Sequence, residues 1–411
     1  MTTTIVAAKP SFWRSPVMII ALCAMALNLA LGLRFGYGLL MKPMSQDLGF
    51  GREVLSITLA VSGLMWGLSQ PFTGAIADRW GAGRVLLTGA LMLMISLVIM
   101  ANATTPLVLI LGVGLIGGIG AGAMSFGVVF GIIGRNVAPE KRNQAITICT
   151  AAGSFGQFLF VPYTALLIAN FGWSKALLVL AATSLIMVPI ALLLVESKET
   201  MARAAVGQNQ SLGAAVKEAF GERNFLLLIA GYFVCGFHVM FVSTHFPAYV
   251  TDRGFSANVG ATALALIALF NIIGTFTWGM LGAHFVKKNL LAQIYILRSV
   301  VILGLLYLPS SEWTIYAFAA GFGFLYLSTV PLTSGVIATL FGVRYLGMLS
   351  GAAVAVHQVG AFVGIWLGGR LFDQLGSYDA IWWIAIALGI FAALINLPIR
   401  EQPVQRMAVA A

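Results

Sequence analysis

The sequence predicts an all-α membrane protein of twelve transmembrane helices, arranged as two six-helix pseudo-repeats. Three observations carry this. Sixty per cent of the 411 residues are hydrophobic and only 9% are charged, against about 25% charged in a soluble globular protein. Apolar runs of about 18 residues or more recur along the whole chain, each long enough to cross a hydrocarbon core of about 30 Å. One long polar stretch, ESKETMARAAVGQNQSLGAAVKEAFGERN at 196–224, leaves six runs on either side of it.

In order, the runs fall at 16–41, 54–76, 84–103, 106–131, 144–168, 175–195, 224–248, 257–283, 289–309, 313–337, 346–371 and 379–399. The domain division expected from them is an N-terminal six-helix bundle at 1–195, a cytoplasmic linker at 196–223 and a C-terminal six-helix bundle at 224–411. The first run is long and ends without a small-residue cleavage site, so it is expected to serve as insertion signal and first helix together. Cys23, Cys149 and Cys235 all lie inside apolar runs and read as small packing residues, not as a disulfide or metal set.

Charge fixes the expected orientation. With the N-terminus in the cytoplasm, sixteen Lys and Arg fall on the inside, five (Lys42, Arg52, Lys175, Arg253, Arg370) outside and two within spans, which accounts for all 23. That asymmetry places both termini in the cytoplasm of a multi-pass protein, in the cell inner membrane. It also explains the net charge of +10 without a nucleic-acid partner. All thirteen Asp and Glu fall in loops or at helix ends. A proton relay built on carboxylates is therefore disfavoured, and histidine is the titratable group left for one. No Ser-His-Asp, metal-ligand or phosphate-loop arrangement occupies a water-accessible position, so neither an enzyme nor a cofactor is expected.

Residues 74–84, GAIADRWGAGR, resemble the GxxxDRxGxR signature of the major facilitator superfamily, with Gly74, Asp78, Arg79, Gly81 and Arg84 in register. The resemblance implies the major facilitator fold, with this charged cluster tying neighbouring helices together and rearranging as the carrier opens and closes. Within that family, FGYGLLMKPMSQDLGF at 35–50 looks like the monocarboxylate transporter group and its bacterial relatives. Two departures qualify this: no Arg occupies span eight, ATALALIALFNIIGTFTWGMLG, and Gly114 stands where proton-coupled members often carry a span-four Arg. A multidrug exporter is disfavoured, because AAGSFGQFLFVP at 151–162 lacks the Gly-Pro of their span-five motif.

The residue that demands explanation is Arg34. A central intramembrane Arg costs roughly 2.5–3.5 kcal/mol on insertion scales. An internal echo supports a functional reading: LGLRFGYGLLMKPMSQDLGF at 31–50 overlays CGFHVMFVSTHFPAYVTDRGF at 235–255, matching Gly32 to Gly236, Arg34 to His238 and Pro43 to Pro247. Equivalent helices of two halves flank a central site, so Arg34 and His238 are expected to face each other there. Two basic groups in a low-dielectric cavity make an anion site, and a guanidinium suits a planar carboxylate. The alternatives are that Arg34 snorkels to the interface and that His238 is a packed core histidine.

Further candidates are Tyr37, one turn beyond Arg34; His357 and Gln358 in span eleven; Asn271 in span eight, as a pore-lining donor or interhelical glue; and Tyr326 beside Pro331 in span ten. His238 and His357 are the proton-coupling candidates. Arg298, in span nine, has a choice of helix carbonyls, a lipid headgroup or substrate. The function these readings imply is a secondary transporter of small organic anions, monocarboxylates above all, working by alternating access and open to proton coupling. Its partners are an anionic solute, protons and the bilayer. The alternatives are a same-fold carrier of neutral or amphipathic solutes and a non-transporting sensor, for which no appended signalling domain is visible.

Overall fold

A computed structural model describes residues 13, 15–196, 219–341 and 346–403, and among them every regular element is helical. Ten stretches are long and apolar enough to cross a membrane. One of these, Ile148–Leu193, belongs to a helical run that reverses at Gly172 (φ 76°, ψ 166°) and so supplies two spans. Arg52–Trp80 adds another, which makes twelve.

We number them α1 (Pro16–Leu48), α2 (Arg52–Trp80), α3 (Ala82–Asn102), α4 (Pro106–Asn136), α5 (139–171), α6 (173–193), α7 (Arg223–Asp252), α8 (Ala257–His284), α9 (Lys287–Tyr307), α10 (Glu312–Phe341), α11 (Leu346–Leu375) and α12 (Asp379–Asn396). The loops α1–α2, α3–α4, α7–α8, α9–α10 and α11–α12 mark one end of the bundle, here end A. The α2–α3 and α8–α9 loops mark the opposite end B. Most of the expected linker, residues 197–218, lies outside the described residues.

Local chemistry sets the helix starts. Ser15 accepts from the Met18 amide with Pro16 at the first position, Thr105 does the same for Val108 ahead of α4, and Ser311 for Thr314 ahead of α10. Each satisfies a backbone donor that the helix itself cannot. Four spans are interrupted along their length: α1 at Gly36, α4 at Met124 and Ser125, α6 at Leu185 and Ile186, and α10 at 326–328. Interruptions within the membrane are tolerated only where protein or water satisfies the freed backbone.

Buried apolar side chains form two clusters. One is drawn almost wholly from α1–α6, with Leu27, Leu40, Leu86 and Leu177 fully buried. The other centres on α7–α12 and is aromatic: Phe241 stacks edge-on against Trp382 at 4.8 Å, and Phe246 meets Phe318 at 4.6 Å. Helices approach closely at small residues, as expected where lipid gives no hydrophobic drive. A Cβ on Gly156 of α5 would lie 2.2 Å from the Asn28 carbonyl oxygen of α1, and one on Gly360 of α11 would lie 1.9 Å from the Phe233 oxygen of α7. Gly156→Val is therefore expected to cost about 1–3 kcal/mol or more through overpacking, read as a lower melting temperature in detergent; an unchanged melt would mean that α1 and α5 are not so tightly apposed.

Where the clusters meet, Phe35, Leu39 and Ala165 of the first six helices pack on the core of the last six. The backbone of α1 passes α7 so closely that a Cβ on Gly38 would lie 2.5 Å from the Ser243 oxygen.

Candidate functional site

Arg34 lies about 27 Å along α1 from its start at Pro16, taking 1.5 Å per residue, and about 21 Å short of Leu48 on the same scale. Its side chain turns inward. Nη2 donates to Ser62 Oγ of α2 at 3.3 Å, and the guanidinium carbon sits 5.5 Å from the centre of the Trp66 ring. The residue is half-buried, its Nε is buried without a partner, and among the described residues no carboxylate pairs with it. Serine and an indole face offset only part of a charge at this depth.

Beside Arg34, Phe35 meets Tyr326 of α10 edge-on at 6.1 Å. Tyr326 is thus brought to the junction of the halves, against the residue that follows Arg34 in α1. Its hydroxyl donates to the Val239 carbonyl at 3.3 Å.

Other candidates sit elsewhere. His238 does not face Arg34: it is fully buried against α12, with Nε2 2.7 Å from the Ala385 oxygen. The echo places the two residues at equivalent positions, but α7 is rotated so that the 238 face packs into its own bundle. Tyr37 lines a small internal cavity with Met41, Met44, Leu55, Met100 and Leu109, inside the first six helices and away from the junction. Asn271 is spent on the α10 break, its Oδ1 accepting from the Leu327 amide and Thr275 Oγ1, each at 3.1 Å.

His357 and Gln358 lie at the junction. Gln358 Nε2 donates across it to the Gly63 carbonyl of α2 at 2.8 Å, and its Oε1 is 2.9 Å from His357 Nδ1. Arg298 is fully buried within the last six helices and meets the carbonyls of Leu325 and Tyr326.

The sequence reading missed a polar lattice at end A. Arg52, which reads as an ordinary loop anchor, reaches across the junction to Asp252 of α7, its Nη2 donating to Oδ1 at 2.8 Å and its Nη1 to Oδ2. Nη1 also contacts the Tyr378 hydroxyl at 3.0 Å, and the guanidinium lies 3.7 Å over the Phe372 ring. Asp373 of α11 accepts from the Arg52 and Glu53 amides at 3.0 and 2.7 Å, so a carboxylate of one half caps a helix of the other. Gly51 leaves room for it, since a Cβ there would lie 2.4 Å from Asp373 Oδ2.

Lys42 pairs with Asp252 at 3.2 Å, Trp366 Nε1 donates to Glu53 at 3.2 Å, and buried His245 joins Tyr378 at 3.0 Å and the Ile365 oxygen at 2.8 Å. Among the described residues, every hydrogen bond or ion pair between the halves belongs to this lattice or to Gln358–Gly63. One signal was available in sequence: a cation at the first residue of a helix opposes the macrodipole unless an anion meets it.

At end B, the motif glycine Gly81 closes the α2–α3 turn with φ 95°. Arg79 and Arg84 are exposed, and the Asp78 side chain lies outside what is described. Glu196, at the end of the first half, accepts from the Ala82 amide at 3.1 Å and from Arg135 Nε at 2.7 Å, tying α3 to α4 within that half.

Known proteins share this architecture. A family model described as Major Facilitator Superfamily matches residues 17–332. An uncharacterized MFS-type transporter, YcxA of Bacillus subtilis (strain 168), is 24% identical over 89% of this chain and 90% of its own. Monocarboxylate transporter 11 of Homo sapiens is 25% identical over 92% of this chain and 82% of its own; monocarboxylate transporter 13 of Rattus norvegicus is 26% identical over 80% and 76%. The crystal structure of a D-xylose-proton symporter superposes with a TM-score of 0.74 at 16% identity, covering 94% of this chain and all of that one.

Proposed function

The chain belongs to the Major Facilitator Superfamily and is a multi-pass membrane transporter, not an enzyme, and from that premise we propose that it carries a small organic anion, a monocarboxylate, by alternating access. One observation carries the proposal: a half-buried guanidinium at mid-span that no carboxylate neutralises among the described residues. A bound carboxylate accepts two parallel hydrogen bonds from Arg34 and supplies the missing charge. The kinship with monocarboxylate transporters supports the same cargo.

In this reading the halves 1–195 and 224–411 rock about the junction. End A is the exterior, end B and both termini are cytoplasmic, and the protein resides in the cell inner membrane. The end-A lattice closes the exterior in the conformation described here. Tyr326 and Phe35 wall the site beside Arg34, and His357 is the proton-coupling residue, whereas His238, Tyr37 and Asn271 hold helices together.

Uptake into proteoliposomes tests this. Small carboxylates are expected to be taken up in preference to their neutral analogues, and Arg34→Ala is expected to lose that uptake by at least tenfold. Carboxylate uptake unchanged in Arg34→Ala, or neutral solutes carried equally well, would favour a neutral-solute carrier instead.

A further inference from the structure

The end-A lattice contains a histidine whose hydrogen bonds all run one way. His245 of α7 is fully buried, and two adjacent glycines of α11 make room there. A Cβ on Gly368 would lie 2.7 Å from His245 Nε2, and one on Gly369 would lie 2.2 Å from Ser56 Oγ of α2. Nε2 is 2.8 Å from the Ile365 carbonyl oxygen and 3.4 Å from Ser56 Oγ. A carbonyl only accepts, so Nε2 carries the proton of the neutral ring and Nδ1 is the acceptor. Nδ1 lies 3.0 Å from the Tyr378 hydroxyl, which therefore donates to it. The same hydroxyl oxygen accepts from Arg52 Nη1, also at 3.0 Å.

The series Arg52, Tyr378, His245, Ile365 thus crosses the junction of the halves with every donor matched to an acceptor. A second ring proton breaks the match. Nδ1 then presents a donor to a hydroxyl that is already donating to it, and Tyr378 must turn its own proton away. Two bonds of 3.0 Å in series also put Nδ1 at most 6.0 Å from Arg52 Nη1. An imidazolium would therefore face the guanidinium that holds Asp252, and like charges oppose each other most strongly where water is excluded.

We propose that His245 is a proton-binding site that controls end A: the closed lattice holds the neutral ring, the opened lattice frees Nδ1 for a proton, and acid outside opens the exterior gate. This rests on the alternating-access reading above, leaves proton coupling at His357 and adds a pH response of the gate. The open state is the one that binds the proton, so no path through the closed lattice is needed.

The charged and titratable groups facing His245 are Arg52 and Glu53 on α2, Lys42 on α1, Tyr249 and Asp252 on α7 itself, Asp373 and Arg370 on α11, and Tyr378 ahead of α12. Carboxylates ordinarily titrate near about 4, and tyrosine, lysine and arginine near about 10 or above. Between about pH 5.5 and 7.5 the imidazole is the member of this lattice that changes charge. The open state binds more protons, so its share rises as pH falls.

The test is a distance measurement on the full chain in detergent without substrate, with spin labels on Thr104→Cys and Ser310→Cys. These are exposed end-A positions in opposite halves, outside the lattice, and the three native cysteines are buried. The ratio of open to closed is expected to rise about tenfold from about pH 7.5 to 5.5, as for a freed imidazole titrating near about 6.5. His245→Gln, which keeps a donor for Ile365 and does not titrate, should stay closed throughout. Tyr378→Phe removes only the hydroxyl through which the ring proton opposes Arg52, and should lose the response while Arg52 keeps Asp252. No acid response in the wild type, or a full one in either variant, overturns the proposal. Arg52→Ala with the same labels tells this failure from that of the transporter reading. If it opens end A and acid does not, the proton site alone fails; if neither opens it, the rocking of the halves fails as well.

Discussion

Arg52→Ala is expected to open end A. The substitution removes the two hydrogen bonds to Asp252, the contact with the Tyr378 hydroxyl and the cation held over Phe372, and all of these cross the junction. Truncating one partner of a desolvated, hydrogen-bonded charge pair at an interface costs about 2–5 kcal/mol. At about 1.4 kcal/mol per factor of ten, even the lower figure moves the ratio of closed to open states more than tenfold. Lys42 remains on Asp252, and Asp373 still caps α2, so the loss is partial. Spin labels at the end-A tips of α2 and α11 would read the change as growth of a longer-distance population. A distance distribution identical to that of the wild type would show that the lattice decorates the closed state without holding it.

The largest stability effect is expected from Arg298→Leu. Leucine keeps some of the volume but orphans the carbonyls of Leu325 and Tyr326, which Arg298 serves where α10 breaks. Leaving a buried carbonyl unsatisfied costs about 1–3 kcal/mol, and here two are orphaned, so the variant should melt well below the wild type in detergent or fail to accumulate. Arg34→Ala, with a single hydroxyl partner, should melt close to the wild type while losing transport. The two intramembrane arginines would then separate cleanly, one structural and one functional. Equal melting losses in both would mean that Arg34 also holds the fold together.

Much of this was legible in the sequence because the physics is local. A span of apolar residues bounded by polar turns has few alternatives, and the glycine-bearing DRWGAGR loop adds the family. Arg34 announced itself by its cost. What failed was the prediction of facing. His238 occupies the position equivalent to Arg34, yet each residue of a helix turns its side chain by about 100°, and only packing decides which face meets the partner half. The large aromatics of α7 bury against α12 and take His238 with them. Tyr37 misled in the same way, since proximity along α1 to Arg34 put its ring into the first half's own interior.

The end-A lattice was unreadable for a different reason. Its partners are some 200–320 residues apart in the chain, and each charge taken alone is what a loop anchor looks like. Pairing Arg52 with Asp252 requires knowing that the two halves close on each other there.

The central claim is that Arg34 presents its charge to an anionic cargo, and equilibrium binding to the purified protein measures that without any contribution from the rocking step. A small monocarboxylate and its amide analogue should be compared in wild type, Arg34→Lys and Arg34→Ala. Charge-assisted hydrogen bonds are worth about 1.5–3 kcal/mol, so the carboxylate should bind at least tenfold more weakly to Arg34→Ala, with Lys intermediate and the amide indifferent to all three. Equal carboxylate affinity in wild type and Arg34→Ala would contradict the account.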